Sequence, residues 1–197
     1  MIFTELALPG AWLIEAAPRG DERGFLARTY DEAEFAKRGL CTRWVQQSTV
    51  FSPKAGTLRG MHFQRAPHEE IKLIRCTAGA VYDVIVDLRP DSPTYLRWAA
   101  TELSAANRRS LYVPAGFAHG AQTLADDTEL FYQMSAAYEP EAAAGVRWND
   151  GALGIAWAMA ESMISSQDDN WALLPHPNIC HARTGTSHDR RSRQHHE

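Results

Sequence analysis

The chain has 197 residues, of which 45% are hydrophobic and 22% charged, and its formal net charge is −4. That length and composition suit one folded domain with a sizeable core and exclude a disordered chain. The acidic balance argues against nucleic acid as the main partner, and no apolar run approaches the roughly 20 residues that span a bilayer, which argues against a membrane.

In chain order, Met1-Ile2-Phe3-Thr4-Glu5 lacks the basic-then-apolar pattern of a secretory leader. Gly and Pro then punctuate the chain at short intervals, with short apolar or alternating runs between them, as in an all-β sandwich or barrel. One helix is predicted after Asp31, which can cap it, with Glu34 three residues on and Phe35 and Gly39 following. The run Gly56-Thr57-Leu58-Arg59-Gly60-Met61-His62-Phe63-Gln64 places an arginine and a histidine in an apolar strand. Leu73–Cys76 and Val81–Leu88 flank a turn at Ala78-Gly79, which predicts a hairpin. In the second of these runs Asp83 and Asp87 share a face with Val81 and Ile85, so each needs a partner. Lys72, across the turn, is the candidate for Asp83. Tyr112–Gly120 ends in Pro114-x-Gly116-x-x-His119, a histidine at the lip of a strand, and Phe131-Tyr132 follows. The domain is expected over residues 1–178. Residues 179–197 are polar and basic with almost nothing to bury, which predicts a disordered tail. Cys41, Cys76 and Cys180 are odd in number, widely spaced and without a Cys-x-x-Cys pair. They predict reduced thiols, no zinc site and a cytoplasmic setting.

Buried Arg and His are costly unless paired, so Arg59 and His62 on one strand suggest a pocket for an anionic substrate. In the cupins, which are small β-barrels, a turn similar to Pro114–His119 presents a metal-ligating histidine. Here the earlier strand offers His62 alone, and two histidines make a poor metal site. No metal and no cofactor are therefore expected. What remains suits proton transfer. An imidazole with an ordinary pKa of about 6.5 can act as a base. Lys72 can hold negative charge on an oxygen, and the Tyr132 phenol can return a proton. That set can invert a carbon next to a carbonyl through an enolate.

These residues resemble the dTDP-4-dehydrorhamnose 3,5-epimerase family. The resemblance is carried by Arg59–Gln64, Lys72-Leu73, Val84–Arg89 with Ser92-Pro93-Thr94, Val113–Gly120 and Trp148-Asn149-Asp150, in matching order over roughly residues 1–175. It implies an all-β, cupin-type jelly roll with a few short helices. It also implies a homodimer, no metal, and a substrate that is a nucleotide diphosphate linked to a 4-keto-6-deoxyhexose. By the resemblance, His62 is the catalytic base, Asp168 orients it, Tyr132 is the general acid, and Lys72 lies near the sugar's C4 oxygen with Asp83 as its partner. His119 contacts substrate, Arg59 and Arg23 bind the diphosphate, Tyr138 stacks on the base, and Gln47 is a polar nucleotide contact. Because Arg59 and His62 are three apart, a regular strand would point them to opposite faces. Gly60 can mark a bulge that corrects this, or Arg59 can serve a site shared with another subunit.

Departures from the family pattern gather at the nucleotide end. Leu26 and Arg28 stand where Phe-x-Glu is usual, and Arg28 reverses the charge of a glutamate that contacts thymine. Thr49, Ala143, Gln167 and Glu70 also differ from the commoner residues. They leave a CDP- or GDP-linked ketosugar open as substrate. A 3,4-ketoisomerase, a metal-dependent cupin and a non-catalytic sugar-nucleotide-binding cupin are the other readings. How many carbons are inverted is not written in the sequence.

Overall fold

The computed structural model describes residues 1–174, so the expected tail lies outside the described residues. The strands, in chain order, are β1 (Ile2–Glu5), β2 (Trp12–Glu15), β3 (Arg19–Asp21), β4 (Gly24–Leu26), β5 (Gln46–Ser52), β6 (Thr57–Gln64), β7 (Lys72–Ala78), β8 (Ala80–Asp87), β9 (Trp98–Ser104), β10 (Arg109–Val113), β11 (Phe117–Thr123), β12 (Thr128–Met134), β13 (Ala143–Gly145) and β14 (Met163–Ile164). One sheet runs β1-β2-β10-β7-β12-β5 and the other β13-β6-β11-β8-β9, with β14 added to β6; β3 and β4 form a separate ribbon. This is the expected two-sheet β architecture.

Period-2 alternation decides what each strand turns inward. On the first sheet Ile74 stands opposite Leu111 and Tyr132, and Cys76 opposite Leu130. On the second, Ile85 faces His119 and Asp83 faces Ala121. Ile74, Cys76, Val81, Ile85, Leu111, Phe117 and Leu130 fill the space between the sheets. The alternate residues of β8, Val84 and Val86, pack outward against Val146 and Leu153 of the returning C-terminal segment. That strand is buried on both faces, which explains its nearly unbroken apolar run. On the outside of the first sheet, Phe35 packs with Ile14, Leu73 and Tyr112.

Helix α1 (Glu32–Ala36) forms where expected, with the Asp31 carboxylate accepting from the Glu34 amide at 3.2 Å. A second helix, α2 (Ser166–Asp169), is a further short helix of the kind the resemblance implies, in a segment where the sequence pattern alone predicts none. Ser165 caps it by accepting the Asp168 amide at 3.1 Å, a Ser-x-x-Asp spacing that the sequence does carry. The expected hairpin is absent. β7 bonds to β10 and β12, whereas β8 bonds to β11 and β9, so the chain crosses from one sheet to the other at Gly79. Gly79 has φ +68°, and a Cβ there would fall 2.3 Å from the Thr128 hydroxyl, so a side chain would block the crossing.

Asp87 braces the loop that leaves β8. Its carboxylate, wholly buried, accepts from Arg89 Nε at 2.9 Å, Arg89 Nη2 at 2.7 Å and Thr94 Oγ1 at 2.7 Å. Arg89 also lies over the Phe117 ring and donates to the Pro9 carbonyl, which anchors the turn that leads to His119. Burial would raise the Asp87 carboxyl, but the donors of Arg89, Ser92 and Thr94 outweigh it and hold it well below the usual carboxylate range. Its stabilising contribution is therefore complete above the unfolded pKa of about 3.9 and is lost as pH falls through the lower folded value. Asp87→Ala should cost about 3 kcal/mol at neutral pH, because it leaves Arg89 unpaired. Urea melts should show that gap unchanged from neutral pH to about 5 and closing only below about 4. A gap already gone at pH 5 would mean the carboxylate is not held ionised by this loop.

Candidate active site

One end of the space between the sheets is packed with apolar side chains, and the other opens into a cleft of about 660 Å³. Arg59, His62, Lys72, His119, Tyr132, Tyr138 and Asp168 all line it. The facing problem on β6 is solved by a bulge. Arg59 pairs with Ala121 and His62 with His119, so three steps on β6 match two on β11. Ala121 and His119, two apart, share a face, and so therefore do Arg59 and His62. Gly60 occupies the irregularity at φ +141°, where an added Cβ would lie 2.6 Å from the Gly120 Cα. No other residue type fits there without moving the β11 backbone.

His62 Nε2 lies 2.6 Å from Asp168 Oδ1, and the other carboxylate oxygen accepts the Gly60 amide at 3.2 Å. Burial would raise the Asp168 carboxyl. The hydrogen bond and charge of His62, with the Gly60 amide and the Trp171 indole beside it, more than offset that and hold it below its ordinary range. An ionised Asp168 accepts Nε2–H and leaves the lone pair on Nδ1, so the ring is set up as a base at that atom. Ser165 at the cap and α2 carry Asp168 to this point, and β14, running parallel to β6, brings that segment alongside.

The expected Lys72–Asp83 pair is not formed. Asp83, fully buried, takes the ring of His119 at 2.9 and 3.0 Å. Lys72 instead lies 3.1 Å from Glu70. The cause is the crossover at Gly79, which puts the two strands in different sheets, so that Asp83 meets β11 and not β7. Tyr132, on the sheet opposite His62, meets His119 edge-on at 5.8 Å between ring centres. Burial, then the nearby charge of Asp83, pushes its phenol well up, so it carries its proton at neutral pH. Arg59 is the cleft cation without a carboxylate within ion-pair distance among the described residues; it is held by Ser52 Oγ at 3.2 Å and the Phe51 carbonyl at 3.3 Å. Tyr138 sits at the rim, 62% exposed.

Three expected binding residues are not in this cleft. On β5, Gln46 and Ser48 stand opposite Met134 and Tyr132 and face inward, so Gln47 and Thr49 face the outside of the sheet. Gln46 is the cleft residue, and it accepts the Tyr138 amide at 2.6 Å. Gln47 was placed one residue out of register. Arg23 is bound to Asp21 at 2.6 Å on the exposed β3–β4 ribbon. Arg28 pairs with Asp31 at 2.8 Å at the start of α1. Of the positions that differ from the family pattern, Glu70, Ala143 and Gln167 line the cleft.

Trp171 is a wall of the cleft that sequence reasoning missed. Its ring lies edge-on to His62 at 6.4 Å, and Arg147 Nε donates to its carbonyl at 2.8 Å. A Cβ on Gly145 would come within 2.3 Å of the indole, so the glycine opposite His62 on β13 makes its room. Among the described residues no group of three or more His, Cys, Asp or Glu side chains could hold a metal ion. Both cleft histidines are committed to carboxylates.

The arrangement brings an imidazole and a phenol from facing sheets, a lysine and an arginine onto one cleft, a set able to move protons beside an anionic group. The family model described as dTDP-4-dehydrorhamnose 3,5-epimerase matches residues 5–176. A protein of that name from Sinorhizobium fredii is 40% identical over 180 residues, covering 91% of this chain and 90% of its own. The crystal structure of the Bacillus anthracis enzyme of that name, with TDP and PPi bound, superposes with a TM-score of 0.85 at 41% identity, covering 88% of this chain and 99% of that one. ChmJ, a 3'-monoepimerase from Streptomyces bikiniensis solved with dTDP-quinovose, gives a TM-score of 0.80 at 32% identity over 85% of each chain. The chain belongs to the dTDP-4-dehydrorhamnose 3,5-epimerase family, whose members are isomerases on a cupin-like jelly roll.

Proposed function

We propose that this protein epimerises a nucleotide-linked 4-keto-6-deoxyhexose, with dTDP-4-dehydro-6-deoxyglucose as substrate, without a metal or cofactor. The carrying observation is the placement of His62 and Tyr132 on different sheets, facing each other across one cleft. A sugar ring held between the sheets meets a base on one face and a proton donor on the other, which inversion requires. His62 Nδ1 takes the proton from the carbon next to the C4 ketone. The electrons move to the ketone oxygen, where the Lys72 ammonium stabilises the enolate. Tyr132 returns a proton from the far side, and Asp168 holds the charged imidazole between the steps.

The charges also orient the substrate. Glu70 offsets Lys72, so Arg59 draws the diphosphate toward its end of the cleft, and Tyr138 at the rim receives the base. A homodimer would explain why the β3–β4 ribbon is exposed, with Phe25 and Leu26 uncovered. In that assembly Arg23 and Arg28 would act at the partner's cleft and read the nucleotide there. The free thiols of Cys41 and Cys76 support a cytoplasmic setting, and supply of deoxysugar for surface polysaccharide is the fitting role.

The test is deuterium uptake in heavy water with dTDP-, CDP- and GDP-4-keto-6-deoxyglucose, followed by NMR at C3 and C5. Uptake at both carbons with the dTDP sugar is expected, and uptake with none of the three would refute the reading. His62→Ala should lose exchange by a factor of about 10³ or more while nucleotide affinity is kept; normal exchange would mean the base is elsewhere. Tyr132→Phe should behave differently, exchanging at a reduced rate but failing to complete inversion, and full epimerisation would remove the phenol from the reaction. Arg23→Ala should raise KM at least tenfold with little change in kcat, in a protein that light scattering shows to be a dimer. A monomer with unchanged KM would confine the site to one chain.

A further inference from the structure

We propose that Glu70 is a positioning residue that holds the Lys72 ammonium at the ketone oxygen. This deepens the reading above and rests on the role given there to Lys72.

The geometry carries it in three parts. First, the pair is inside the cleft. Glu70 Oε1 and Lys72 Nζ are 3.1 Å apart, and the two side chains are only 13% and 11% exposed. A solvated pair two residues apart would contribute next to nothing, but a pair this secluded is coupled, because removing one member strands the charge of the other.

Second, Glu70 is what is left. The buried carboxylates of the interior are already engaged. Asp83 is taken twice over by the His119 ring, Asp168 by His62, and Asp87 by Arg89 with Thr94. Among the described residues no other carboxylate lies within ion-pair distance of Lys72.

Third, the frame under the pair is rigid. Residue 71, between the two, is bonded at both backbone groups to one partner: its amide donates to Ser135 Oγ at 2.8 Å, and its carbonyl accepts the Ser135 amide at 3.0 Å. Lys72 itself is paired with Val113 on one side and Met134 on the other. Glu70 thus projects from a fixed point toward a flexible four-carbon stem, and the tether confines the ammonium to one part of the cleft. Oxyanion stabilisation depends on a donor already in place when charge develops, so loss of the tether should slow turnover more than it weakens binding.

The experiment compares E70L, E70Q, K72A and the E70L/K72A double variant by the deuterium-uptake rate and by kcat and KM. E70L removes the acceptor and should lower kcat about tenfold with KM within about twofold. E70Q keeps the side-chain shape and an oxygen beside the ammonium and should recover most of that loss, which a role for the carboxylate charge alone would not predict; the split between kcat and KM is what a general packing role would not produce. K72A should fall about a hundredfold, and the double variant should be no slower than K72A, because Glu70 acts only through the lysine. If E70L fails to fold, E70N replaces it, since it withdraws the acceptor by one methylene while staying polar. Wild-type kcat in E70L or E70N alongside an impaired K72A overturns the proposal and leaves the role of Lys72 standing. So do losses that multiply in the double variant, or a change confined to KM. Wild-type turnover in K72A would instead fail the underlying reading, and the two failures are told apart by that single variant.

Discussion

One inserted residue controls the chemistry of this molecule. Were β6 regular, Arg59 and His62 would lie on opposite faces, one in the cleft and the other in the packing behind it. The three-against-two match with β11 turns both inward, and Gly60 makes the match possible because its backbone touches Gly120 where a side chain would stand. Around that irregularity the Asp168 carboxylate bonds at once to the Gly60 amide and to the His62 ring. The distortion of the strand and the orientation of the His62 ring are thereby a single feature.

The cleft is also a lesson in how a β-sandwich carries buried charge. His62, His119 and Lys72 each have one carboxylate of their own, within about 3 Å. Leaving Lys72, or the fully buried carboxylate of Asp83, alone in this setting would be expensive. Pairing lets a set of titratable groups stand between two apolar layers, and it leaves Arg59 as the charge with capacity for an anionic ligand. The apolar end of the same interior, from Ile74 to Val81, supplies the stability that the polar end does not.

Much of this was legible in the residues. The Asp31 cap, the short β runs, and the clustering of His62, His119, Lys72 and Tyr132 follow from local pattern, and the family resemblance supplied Asp168, whose Ser165-x-x-Asp168 spacing marks the helix that carries it. Other parts were not, for reasons that can be named. A glycine turn looks the same whether it closes a hairpin or carries the chain to another sheet, so the β7–β8 connection was misread and the partner of Asp83 with it. Gln46 and Gln47 are adjacent and identical, and only the register against β12 tells which one faces in. Glu70 and Trp171 look like any surface acid and any late apolar residue; only packing shows that one meets Lys72 and the other fills the space left by Gly145.

The His62–Asp168 contact joins residues 106 apart in the chain. The barrel around His62 can be complete in its sheets while the base still lacks the carboxylate that sets its tautomer. That carboxylate arrives with β14 and α2, which lie along β6 and come nearly last in the described chain. A chain lacking this segment would hold the cleft without a carboxylate beside His62.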